Sequence, residues 1–129
     1  DRNKIIEELK PTSEAILQGT YTEGVSLGQI EQKAFRIGAA DTHSPTAKNL
    51  FFENPLIQEI AKAYVSEEAV SYRREADYKT EAGHLLQADL PHFDDWRHRF
   101  KAFLYLTDVS DETAPFAVLV IHWSGAWSE

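Results

Sequence analysis

Residues 101–107, Lys-Ala-Phe-Leu-Tyr-Leu-Thr, limit the folds open to this chain more than any other stretch. In an extended segment, side chains alternate between the two faces. Phe103 and Tyr105 then lie on one face, and Ala102, Leu104 and Leu106 on the other. Both faces are largely apolar, so a strand here must be covered on both sides. The acidic stretch 108–114 reads as a turn. Pro115 then opens a second run of the same kind, 116–121, again apolar on both faces.

Just upstream stands His92-Phe93-Asp94, led into by a short strand over residues 84–89. In extended backbone, residues i and i+2 project the same way, which sets an imidazole beside a carboxylate. Such a pair supplies two of the three ligands of the 2-His-1-carboxylate arrangement. That arrangement binds non-haem Fe(II) and leaves positions open for a co-substrate and O2. The structural alternative is a turn in which Asp94 accepts backbone N–H groups and His92 sits at the surface. Phe93 and Trp96, beside the pair, either wall a pocket or pack in the core. His98 stands between Arg97 and Arg99, where neighbouring cations lower a histidine pKa without creating a site. His122 reads as a strand-end histidine near the surface.

Towards the N-terminus the patterning is helical. Ile5, Ile6 and Leu9 share one face over residues 3–9, and Pro11 predicts a stop. Thr12-Ser13-Glu14 offers a second helix start, with Ala15, Ile16 and Leu17 behind it. Gly19 and Gly24 bracket a turn-prone stretch. Residues 25–37 fit helix or strand equally. Residues 41–45 read as a loop with a solvated His43.

Asn54-Pro55 is the clearest helix start in the chain, because Asn caps free N–H groups and Pro sits where no donor is needed. Ile57, Ile60, Ala61 and Tyr64 follow at helical spacing, with an end near Val65 and an apolar stripe suited to packing on a sheet. Residues 69–78 alternate as a strand, and Arg74 on its apolar side either snorkels outward or enters a polar cavity. Residues 79–83 read as a turn. Strands joined by turns after an early helical region point to an α+β fold. The expected architecture is a partial double-stranded β-helix (jelly roll) with the N-terminal helices packed outside.

Composition narrows the partners. A length of 129 residues predicts a single domain, 1–129. The formal net charge of −8 argues against nucleic-acid and anionic-membrane partners, which select for basic patches. Cys is absent, which excludes a disulfide framework or thiolate metal site in these residues and fits a cytoplasmic location. No apolar run reaches the roughly 18 residues of a membrane span, and no signal peptide is apparent. The sequence starts at Asp1 and contains no Met, so residues are expected to be missing before Asp1 or removed by processing.

Taken together, His92-Phe93-Asp94, the run Phe100-Lys101-Ala102-Phe103-Leu104-Tyr105-Leu106-Thr107-Asp108-Val109 and Ser110-Asp111-Glu112-Thr113-Ala114-Pro115-Phe116 resemble the phytanoyl-CoA dioxygenase family. In those Fe(II)/2-oxoglutarate oxygenases the iron-binding His-x-Asp precedes a strand ending in Leu-Thr-Asp-Val. An acidic turn and a Gly-Pro-Phe or Ala-Pro-Phe follow. The likeness covers residues 90–119. It implies Fe(II) held by His92 and Asp94, 2-oxoglutarate as co-substrate, and hydroxylation of a small molecule. Lys101 opens the strand after the motif; it either snorkels at the surface or faces the cofactor cavity and pairs with a carboxylate.

The family's third ligand, a second His on a late strand, and its 2-oxoglutarate-binding Arg have no counterpart before Glu129. At the family's Gly-Ser-His turn this chain has Val120-Ile121-His122-Trp123-Ser124-Gly125. The given chain is therefore expected to be an incomplete, inactive piece of the domain, with exposed sheet edges that favour self-association. A non-catalytic cupin-like binding module is the alternative.

Overall fold

The computed structural model describes residues 1–21, 23–25, 27–31, 33–79 and 99–110. Along the chain they form α1 (Arg2–Leu17), α2 (Leu27–Glu31), β1 (Ala34–Ile37), α3 (Ala40–His43), α4 (Pro45–Ala47), a π-type turn (Lys48–Phe52), α5 (Pro55–Tyr64) and β2 (Ala76–Lys79). The architecture among them is helices packed around one antiparallel strand pair. His92 and Asp94 lie outside the described residues, as do the expected strands over 84–89 and 116–121 and the turn after Lys79.

The predicted stop at Pro11 does not occur, and α1 runs through it as one helix. The reason is tertiary. Ile5, Leu9, Ser13 and Ile16 form one buried face that continues across the proline. A helix-interior Pro costs about 3 kcal/mol. Burying Ile5, Leu9 and Ile16 returns roughly 1.5–3 kcal/mol apiece, which outweighs the lost hydrogen bond. The helix ends instead at Gly19, whose φ of 71° is the left-handed conformation of a Schellman cap. Its N–H donates to the Ile16 carbonyl at 2.9 Å, and the N–H of Thr20 reaches back to Ala15 at 2.9 Å.

Residues 25–37, open between helix and strand on sequence, divide into both. α2 precedes β1, and β1 pairs antiparallel with β2 in the register Ala34↔Lys79, Phe35↔Tyr78, Arg36↔Asp77 and Ile37↔Ala76. One face of the pair is aromatic, with Phe35 stacked on Tyr78 at 4.7 Å between ring centroids. Ile16 of α1 packs with Phe35 and Ile37 there, flanked by Tyr21, Val25 and Ile30. The other face is ionic. Arg36 forks onto Asp77 through Nε at 2.6 Å and Nη2 at 3.1 Å. Bonding to Asp77, reinforced by the nearby charges of Asp77 and Glu75, raises the Arg36 pKa above its ordinary value.

A second cluster joins Ile5 and Leu9 of α1 to Ala40 and Ala47, with Phe52 and Leu106 against it. Ala76 packs against both clusters and so links them. Residues 41–45, expected as a loop, are instead two short helical turns meeting at Ser44. Ser44 caps α4 by accepting the N–H of Ala47 at 3.0 Å, with Pro45 in the first turn. Glu8 of α1 fastens these turns. Its carboxylate accepts the Ser44 hydroxyl at 2.6 Å, the Thr46 hydroxyl at 2.7 Å and the Thr46 N–H at 3.0 Å. The Ser44 and Thr46 side-chain bonds, in that order, hold the Glu8 pKa below its ordinary value.

α5 begins where Asn54-Pro55 predicts, with Asn54 Oδ1 accepting the N–H of Leu56 at 3.0 Å, and Val65 caps its end. Its apolar stripe does not pack on the described sheet. Of that stripe Ile57 and Ala61 are half-buried, whereas Ile60 is 45% and Tyr64 60% exposed, beside Leu56 at 64%. One face of that two-stranded sheet is already covered by Ile16 and its neighbours, and the other carries the Arg36–Asp77 pair. The strand expected over 69–78 is reduced to β2, because its partner β1 ends at Ile37 and Ala39 turns away with a φ of 47°. Val70 and Tyr72 are left exposed. Residues 101–107 likewise pair with no strand among the described residues, and Phe103, Leu104 and Tyr105 are exposed. This segment is anchored by Leu106 in the α1 cluster and by Asp108, which accepts from Arg2 Nη1 at 2.8 Å.

Two outcomes follow from α1. Gly19→Ala meets no atom within 4 Å of the added Cβ, so its cost is the left-handed φ alone. It should lower stability by about 1 kcal/mol in urea unfolding. For Glu8 the folded-state pKa is depressed below the ordinary 4.5, so its stabilisation is full above that value and fades as pH falls through the lower one. Wild type should exceed Glu8→Gln in urea midpoint at about pH 6, and the gap should shrink towards about pH 3. A constant gap would place the stabilisation elsewhere.

Candidate functional site

Of the residues singled out on sequence, Lys101 alone among His92, Asp94 and Lys101 is described. It is exposed, at the start of the 101–107 segment. His92 and Asp94 are outside the described residues. Among the described residues no group of three or more His, Asp or Glu side chains is arranged to hold a metal ion. No described helix is long and apolar enough to cross a membrane.

What the described residues do bring together is an open groove of about 250 Å³ between the turn at Gly38, Ala39 and Asp41 and the segment 71–75. The walls are joined by backbone and side chain. The Ala40 N–H donates to the Arg74 carbonyl at 2.8 Å, and Arg74 Nη1 donates to Asp41 Oδ2 at 2.8 Å. Arg74 thus turns towards Asp41 on the groove wall, with its side chain 27% exposed. Glu53, at 3.8 Å, extends the charge cluster to the π-type turn, where Lys48 lies 3.7 Å from it. Arg74 Nε is buried with no hydrogen-bond acceptor among the described residues, so the guanidinium is held from its Nη1 end.

Tyr72 lies at the rim. The Arg73 guanidinium sits 5.5 Å from its ring centroid, within range of a cation–π contact, and Arg99 Nη1 donates to its hydroxyl at 3.2 Å. Asp41 and Glu75 also line the groove, so its fixed charges balance rather than select one sign of ligand. Glu75 is engaged by Arg36 at 3.1 Å.

His43, expected to be solvated, is half-buried. Its Nδ1 is 3.1 Å from the Thr12 hydroxyl, and its ring meets Tyr21 edge-on at 6.0 Å. A histidine with these partners braces α3 against α1. The missed residues had a readable signal in one case. Ser44-Pro45 carries the same cap-then-proline signature as Asn54-Pro55 and marks a helix start. Glu8 and Asp41 had none, because their partners are distant in sequence.

Burial decides what the ion pairs contribute. The side chains of Arg74 and Asp41 are 27% and 17% exposed, against 51% and 94% for Arg2 and Asp108. A double-mutant cycle on Arg74 and Asp41 should give a coupling of about 1 kcal/mol or more, and one on Arg2 and Asp108 under about 0.5 kcal/mol. Equal couplings would contradict the burial argument.

In comparisons with protein-family models, curated proteins and solved structures, the chain finds no match.

Proposed function

We propose that this chain belongs to an Fe(II)- and 2-oxoglutarate-dependent oxygenase of the phytanoyl-CoA dioxygenase type, acting on a small molecule in the cytoplasm. The observation that carries the reading is the order of its motifs. His92-x-Asp94 comes first, then the apolar run ending in Leu106-Thr107-Asp108-Val109, then an acidic turn and Ala114-Pro115-Phe116. Chance supplies a His-x-Asp readily; it supplies the whole series in this sequence far less often.

The chemistry of the donors suits the ion. A neutral imidazole and a carboxylate are two members of the facial set that favours ferrous iron over softer, thiolate-seeking metals. His92 and Asp94 would hold the iron, and Lys101 would offer its ammonium to a carboxylate of 2-oxoglutarate. Bound iron with its co-substrate supplies the oxidising chemistry. The protein's part is to orient the ligands and keep water from the pocket. The proposed architecture places these residues on a jelly roll with α1 and α5 outside it. The helices and antiparallel strand pair of the described residues are compatible with that α+β arrangement.

The test reads binding rather than turnover. Fe(II) and 2-oxoglutarate are added to the chain under anaerobic conditions, and the weak visible charge-transfer band is followed by titration. The band should appear with wild type and be lost in both His92→Ala and Asp94→Ala. A band that persists in both variants rules out this site. A chain that gives no band while keeping its native circular dichroism favours a non-catalytic module.

A further inference from the structure

We draw no further inference here: the strongest candidate, the exposed apolar patch of α5 formed by Leu56 and Ile60, is an apolar helix face, and nothing among the described residues shows what covers it.

Discussion

The Glu8 carboxylate is the contact on which the described fold turns. It gathers two hydroxyls and one backbone N–H from Ser44 and Thr46 and thereby fixes α1 against the paired turns α3 and α4. Those turns are too short to persist alone, since a helical nucleus fixes several residues for each hydrogen bond it gains. Held by Glu8, they carry Ala40 and Ala47 against Ile5 and Leu9 and close the first cluster. Ala76 passes the packing on to the strand pair, and Arg74, just before it, ties the same region back to Asp41 and Ala40. A negative group at the start of a helical turn is also the favoured sign there, because the turn's free N–H groups point at it.

Local chemistry was the legible part of this chain. Asn54-Pro55 marked a helix start because cap and proline act through their own backbone neighbours, and Gly19 marked a turn because its left-handed φ suits a residue without Cβ. What escaped was set by distant residues. Pro11 looks like a terminator until Ile5, Leu9 and Ile16 are seen to bury one continuous face. His43 looks like a loop residue until Thr12 and Tyr21 are found beside it. Alternation at Val70 and Tyr72 suggested strand, yet alternation states only a preference for pairing. β1 is too short to offer those residues a partner.

The functional reading lives on a different link of the chain from the fold. It rests on residue identity and order around His92 and Asp94, whereas the groove between Asp41 and the 71–75 segment rests on geometry. Arg74–Asp41 and Arg36–Glu75 tie the walls of the groove together, and Arg74 keeps its buried Nε without an acceptor among the described residues. The side chains of Leu56 and Ile60 on α5, and of Phe103, Leu104 and Tyr105, are exposed apolar surface.

The most direct measurement of the central claim is iron K-edge X-ray absorption on the Fe(II)-loaded chain, wild type beside His92→Ala. If His92 is a ligand, the outer-shell scattering of a coordinated imidazole should be present in wild type and diminished or lost in the variant. An unchanged imidazole signature in His92→Ala, at equal iron content, would contradict the assignment.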